Sequence, residues 1–455
     1  LVFRIPQYLR KSRADPWKAQ AAGDEPCDPG GGRISIVTSA ARSYRRALRR
    51  QCGIPALLLA VTVAAAGCGA VSAGQSGTAP PPSHPAARAT VAKSPGGTKA
   101  AAAASCPAVV LSRMTEAQRA GQLFLVGLAT DQVDPATAAA IRSHHFGSVL
   151  FGTTSYAGVG PDRDVTSAVQ SLVSAPATAG VRFFVAANQE GGQVQALQGP
   201  GFPTIPAAEE QGQLNPAVLQ QDAAAWGRQL RQAGVNLNLA PVMDVVPPGT
   251  DKENAPIGAL QREFGHDPGT VAVHGTAFAR GMAEAGVATT AKHFPGLGRV
   301  RNNTDFSSGV VDSVTTPDDP YLQSFQAAVN AGVPFVMVSL ATYARIDAQH
   351  LAVFSPTVMR TILRQQMHFG GVIVSDDMGA ATAVTEIPPA TRAVDFVAAG
   401  GDLITSVSMP AATAMDGAIL ARAAGNAAFR SEVNAAAARV LAVKQAYGLL
   451  PCPAQ

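Results

Sequence analysis

Eight short apolar runs, at 123–126, 148–151, 183–186, 237–240, 288–291, 335–338, 372–375 and 402–405, alternate along this chain with longer Ala-rich segments of helical pattern. The runs are rich in β-branched and aromatic residues, as strands are. The intervening segments include 216–233, 268–285 and 355–367, and several close on a glycine before the next strand: Gly234, Gly286, Gly332 and Gly370. A glycine just past the last helical turn is the usual stop signal. Eight strands alternating with helices predict the α/β class and a single parallel (β/α)8 TIM-type barrel. A doubly wound open sheet would use the same alternation. The count of eight favours the barrel, and so do the polar residues at the strand ends: Asn188 and Glu190, Asp244, Lys292 and His293, Asp376 and Asp377. In a barrel those ends share one face, where active sites are built.

The barrel accounts for residues 106–455, and what precedes it has a different texture. Apolar residues make up 47% of the chain and charged residues 15%, which suits a large buried core. Residues 1–67 hold 11 Lys/Arg against 4 Asp/Glu, a net of +7, which leaves −3 for the rest of a chain whose formal total is +4. The basicity therefore belongs to a leader. With no later Lys/Arg cluster interleaved with aromatics, a nucleic-acid partner is not expected.

In the leader, Arg42, Arg45, Arg46, Arg49 and Arg50 form a positive n-region, followed by an apolar stretch at 54–66. That stretch is short for a bilayer span and fits a signal-peptide core. Residues 1–40 contain no Met and read as the product of a start assigned too far upstream. The sequence Ala65-Ala66-Gly67-Cys68 resembles the bacterial lipobox, with Ala65 where Leu is usual. It implies lipidation of Cys68; ordinary secretion with cleavage nearby is the alternative. The expected location is extracytoplasmic, lipid-anchored to the cell membrane or secreted, with the membrane touched only through the anchor. Residues 68–105, rich in Ala, Gly, Pro, Ser and Thr, read as a flexible tether. Cys106 and Cys452 bracket the mature domain, and in an oxidising exterior such a pair favours a disulfide over two free thiols.

Three segments carry the chemistry: Asn188-Gln189-Glu190-Gly191-Gly192-Gln193-Val194, Ala291-Lys292-His293-Phe294-Pro295-Gly296-Leu297-Gly298, and Val374-Ser375-Asp376-Asp377-Met378. Two others support them, one running from Asn238 to Val245 and the other Arg262-Glu263-Phe264-Gly265. Their order and their places at strand ends resemble family 3 glycoside hydrolases, and within these the bacterial β-N-acetylglucosaminidase branch that acts on cell-wall fragments. The resemblance covers nearly the whole mature domain.

Hydrolysis of a glycosidic bond needs one group to attack or stabilise the anomeric carbon and another to protonate the leaving oxygen and then activate water. The resemblance assigns the first role to Asp376. A strand-end Asp is otherwise a helix N-cap, a role given more readily to Asp377. The resemblance also makes Arg262, Lys292 and His293 sugar-binding residues. Lys donates three hydrogen bonds and His donates or accepts, which suits a polyol. Without it, Arg262 would read as a surface ion pair and His293 as a structural histidine.

The family's acid/base is a His on a mobile loop, oriented by an Asp. Ungapped counting places Asp305 at the His position and Asn303 at the Asp position, and Leu297 replaces a second His of the motif. Two readings stay open. In one, Asp305 is itself the acid/base, as a carboxyl of raised pKa can be. In the other, the acid/base is lost and the run 302–305, all good turn formers, is only a turn. Asn188 stands where the family has Asp, Gln193 where it has Arg and Leu340 where it has His. Asn188 can still bond a sugar hydroxyl.

The expected function is that of a retaining exo-β-glycosidase, a β-N-acetylhexosaminidase on a carbohydrate substrate, acting as a monomer. The alternative is a catalytically impaired sugar-binding lipoprotein. No zinc, haem or phosphate-loop motif is present in the sequence, so neither metal nor cofactor is expected. A phosphate-binding barrel would need a Gly-rich loop after strands seven and eight, whereas Gly400-Gly401-Asp402 precedes strand eight.

Overall fold

The computed structural model describes residues 105–128 and 132–452. The leader, Cys68 and the tether up to residue 104 lie outside the described residues. Eight parallel strands form the core: β1 (Phe124–Leu128), β2 (Ser148–Phe151), β3 (Phe184–Ala187), β4 (Leu237–Asn238), β5 (Ala288–Phe294), β6 (Phe335–Val338), β7 (Val372–Ser375) and β8 (Ile404–Ser406). They pair in the order β7-β6-β5-β4-β3-β2-β1-β8. A parallel bridge between Val374 and Leu403 joins the two ends, and the Ser375 N–H donates to Leu403 O at 2.9 Å. Each strand therefore has two neighbours, and the open sheet is excluded in favour of the (β/α)8 barrel.

The strands are apolar on both faces because both are buried. Leu125, Leu150, Phe184, Ala186, Leu237, Phe335, Met337 and Val374 belong to one cluster filling the barrel. Their neighbours Phe124, Val126, Val149, Val185, Val336 and Ile373 belong to the layer between strands and helices. This period-two division gives a packed interior and leaves the ligand face to the strand ends.

The helices start and stop largely where local chemistry dictates. Helix Pro216–Gln232 has Pro at its first turn and Asn215 accepting from Ala217 N–H. Helix Pro268–Glu284 has Pro268 and an Asp267 cap in the same places. Gly234, Gly286 and Gly332 take φ of 80°, 74° and 80°, the left-handed stop. Gly370 does not. The preceding segment, Thr357–Gln366, is a wide π-helix, and its left-handed residue is His368, at φ 56°. The i+5 bond from Met367 N–H to Ile362 O belongs to that wider turn.

Lys292 and His293 also differ from expectation. They lie inside β5, not after it, because that strand continues to Phe294 through a register shift against β6. Cys106 and Cys452 are joined by a disulfide, with Cα atoms 6.3 Å apart across 346 residues of sequence. Among the described residues no helix is long and apolar enough to cross a membrane.

Candidate active site

The strand ends converge on a buried charge cluster centred on Glu190. This residue sits in a small hairpin beyond β3, Gln189–Gly191 paired with Val194–Gln195. The turn needs glycine: Gly191 has φ 111°, and a Cβ there would lie 2.2 Å from Pro206 O. Arg262 grips Glu190 with two hydrogen bonds, Nε to Oε2 and Nη2 to Oε1, each 2.8 Å. Its Nη1 donates to Pro256 O at 2.8 Å. Lys292 reaches the same carboxylate from β5, Nζ to Oε1 at 2.6 Å, and donates to Asn188 Oδ1 at 2.9 Å. Burial alone would push Glu190 upward, but Arg262 and Lys292 outweigh it and hold the carboxyl down at about 2. Arg262 is raised above its ordinary value: Glu190, with Asp244 and Asp305 behind it, overcomes the cost of its burial. Lys292 is lowered by burial and by Arg262, with Glu190 and Asp376 opposing.

His293 is fixed from below by Asp244, which is fully buried beyond β4. Its Nδ1 lies 2.7 Å from Asp244 Oδ2. A carboxylate only accepts, so Nδ1 carries the proton and Nε2 is turned to the Arg262 side, 3.5 Å from Nη2. Asp244 Oδ1 also accepts from His293 N–H at 3.1 Å and from Leu297 N–H at 2.8 Å. Leu297 is thus buried through its backbone role, with an apolar side chain where the family motif has a histidine.

Asp376 follows β7, its N–H bonded to Val338 O of β6 at 3.0 Å. Its Oδ1 accepts from Asp377 N–H at 2.9 Å. Asp377 caps no helix. Its side chain accepts from Gly379 and Ala380 N–H in the following turn and from Val407 N–H beyond β8. This stitches the two strand ends together and sets the direction of Asp376.

Asp305 lies on the loop after β5. That loop is pinned to the loop after β7 by Thr382 N–H to Asp305 O at 3.1 Å and Ala383 N–H to Thr304 O at 3.0 Å. Asn303 Oδ1 accepts from the Asp305 N–H at 2.9 Å. Phe306 N–H donates to Asn303 O at 3.1 Å, so the turn expected at 302–305 lies at 303–306, and it carries Asp305 to the site. Burial and then the nearby Asp376 push the Asp305 carboxyl up to about 6, with Arg262 and His293 opposing. A carboxyl that keeps its proton into that range can donate one.

Of the residues the sequence singled out, Asp376, Asp305, Arg262, Lys292, His293 and Asn188 are brought together at one face. Gln193 is exposed on the hairpin, and Leu340 is buried in the core. Glu190 and Asp244 were visible as strand-end polar residues without a role. Their role is to hold the others.

Residues 115–443 match the Glycosyl hydrolase family 3 N terminal domain. The chain belongs to that family: it is a glycosidase, and its substrate is a carbohydrate. A β-N-acetylhexosaminidase from Beutenbergia cavernae is 47% identical and superposes with a TM-score of 0.72, over 73% of this chain and 99% of that one. A family 3 β-N-acetylglucosaminidase from Paenibacillus is 25% identical, with a TM-score of 0.67 over 75% of this chain and 64% of its own. The β-hexosaminidase of Stenotrophomonas maltophilia is 29% identical over 293 residues, 62% of this chain and 82% of that protein.

Proposed function

We propose that the protein is a retaining exo-β-glycosidase, a β-N-acetylhexosaminidase acting on cell-wall or related saccharides. The observation that carries the reading is the convergence of two carboxyls, Asp376 and Asp305, beside the Glu190–Arg262–Lys292–His293 cluster. The relatives named as β-N-acetylhexosaminidases and β-hexosaminidases support the sugar class.

In the reaction, an Asp376 carboxylate oxygen attacks the anomeric carbon while Asp305 gives its proton to the departing glycosidic oxygen. The C–O bond to the aglycone breaks and a glycosyl ester forms on Asp376. Asp305, now ionised, takes a proton from water; the water oxygen bonds to the anomeric carbon and frees Asp376. Protons and electrons balance with water as the only co-substrate. Lys292, Arg262, His293 and Asn188 hold the sugar hydroxyls. A sugar-binding protein without turnover is the less favoured reading, because Asp305 lies near enough to Asp376 for the two carboxyls to act on each other.

Turnover of a panel of aryl β-glycosides tests the reading, with the N-acetylglucosaminide expected to be hydrolysed fastest and the first-formed product to be the β-anomer. Asp376→Asn is expected to cost at least about a thousandfold in turnover with the fold preserved. Undiminished turnover in that variant rejects the assignment. Saccharide binding with no turnover of any glycoside would select the sugar-binding alternative.

We also propose that the domain works as a monomer outside the cytoplasm, anchored through Cys68. The positive n-region, the apolar stretch and the lipobox-like sequence support this, as does a disulfide suited to an oxidising compartment. Detergent-phase partition that is lost in Cys68→Ser would accord with the anchor; equal partition of both forms would reject it.

A further inference from the structure

Behind Arg262, on the same loop after β4, lies a second cluster with no part in the mechanism above. Asp251, Glu263 and His266 each bring one ligand-type atom to within 4.8 Å of the others. We propose that these three residues form a binding site for one divalent transition-metal cation, with zinc the best match.

Glu263 is the innermost of the three. Its side chain is buried, 1% exposed, and Oε2 has no hydrogen-bond partner. A buried carboxylate oxygen left unpaired is costly, and native proteins rarely tolerate one without a function. The adjacent Arg262 does not serve it, since that guanidinium is turned towards Glu190 and Pro256. The charged neighbours that act on Glu263 are themselves carboxylates, Asp251, which stands within hydrogen-bonding reach of it, and Glu209, so two carboxyls are packed together with no cation between them. Glu209 is engaged by Gln261 Nε2 at 3.0 Å.

The second element is Asp251, whose Oδ1 is likewise buried and without a hydrogen bond. Its side-chain neighbours are the Glu263 carboxyl and His266 Nδ1, the latter 3.5 Å away and also 3.3 Å from Val246 O, a contact that an ion held at Nδ1 would replace. The Asp251 backbone packs closely on Gly258, where a Cβ would lie 2.6 Å from Asp251 Cα. The Asp251 and His266 side chains are about a third exposed, at 35% and 36%, so the cluster opens to solvent on that side. An ion has a way in, and water can complete its coordination.

The donor set decides the class of ion. Two carboxylates and one imidazole carry a charge of about −2 when ionised and suit a divalent cation of borderline softness. Calcium would call for six to eight oxygen ligands, which three side chains of which one is a histidine do not supply. Bound there, the ion would tie the turn at Asp251 to the residues directly after Arg262. It would brace the loop that carries a sugar-binding side chain without touching the sugar.

Zinc titration of the chelator-treated protein tests this, read by metal content per chain after dialysis and by thermal unfolding. One zinc per chain is expected, with a rise in Tm that calcium does not reproduce. Glu263→Gln and His266→Ala are each expected to weaken zinc more than about a hundredfold and to abolish the rise in Tm. Asp251→Asn, at a partly exposed position, gives the same answer if Glu263→Gln does not fold. Absence of stoichiometric zinc from the unaltered protein, or full zinc retention in the variants, would overturn the site. Neither readout depends on glycosidase activity.

Discussion

Two buried lysines mark the two ends of the barrel, and they are treated in opposite ways. Lys292, at the ligand face, meets Glu190 at 2.6 Å and Asn188 at 2.9 Å. Lys444 comes from the C-terminal helix Ala427–Ala446 and is fully buried. It bonds to Gln122 Oε1 at 2.8 Å and Gly147 O at 2.7 Å, and its Nζ stands 5.6 Å from the centre of the Phe184 ring. No carboxylate is among those partners. Burial, unopposed, pushes Lys444 down to about 7. At Lys292, Glu190 and Asp376 resist the same effect. A cation is cheap to bury where an anion has been placed to receive it and costly where only dipoles are offered. The ligand face is thus prepared for charge, and the other end merely accommodates it.

The largest effect should come from removing the anion at the prepared end. Glu190→Gln leaves Arg262 and Lys292 as adjacent buried cations. It is expected to cost about 3–5 kcal/mol of stability, read by denaturant unfolding, together with most of the activity. A loss under 1 kcal/mol would mean the cluster is far more solvated than its burial implies.

Lys444→Met should act in the opposite direction, raising stability by about 1–3 kcal/mol at neutral pH with activity unchanged. The sign with pH follows from proton counting. The folded state holds Lys444 at about 7 and the unfolded chain near 10.5. Between those values the unfolded chain binds more protons, so the unaltered protein gains stability as pH rises. The advantage of Lys444→Met is therefore full below about pH 7 and shrinks towards pH 10. A pH-independent difference would contradict the burial of a charge.

A smaller effect is expected at Asp305, which is only partly buried. Its folded carboxyl is raised to about 6 from an ordinary 3.8. The native state then binds more protons across that window, and stability falls as pH rises through it. Asp305→Asn should be more stable than the unaltered protein by about 1–2 kcal/mol above pH 6 and equal to it below pH 4. Equal stability at both ends would place Asp305 in solvent.

The strands were readable because each is a short apolar run bounded by turn chemistry, and all eight expected runs overlap observed strands. Asp376, Lys292, His293 and Arg262 were readable as strand-end or motif residues. The work of Glu190 and Asp244 was not, because it consists of contacts across 72 and 49 residues of sequence. Local pattern also failed where geometry is cooperative: the wide helix before β7 moved its stop from Gly370 to His368, and the register shift in β5 drew Lys292 and His293 into the strand. Lys444 left no signal, since one lysine on a long helix ordinarily faces water. The cluster of Asp251, Glu263 and His266 has no ligand-like spacing and exists only because the loop after β4 folds back on itself.

In the proposed reaction Asp305 supplies the proton and Asp376 the nucleophile. The most direct measurement is the pH dependence of kcat/KM for Asp305→Asn beside the unaltered protein, on an aryl β-N-acetylglucosaminide and on an alkyl one. The unaltered protein is expected to lose activity as pH rises through about 6, where Asp305 gives up its proton. The variant should lose that limb, keep part of its rate on the aryl substrate, whose leaving group needs little protonation, and lose nearly all of it on the alkyl substrate. An unchanged pH profile with both substrates hydrolysed at the original rate would show that the proton comes from elsewhere.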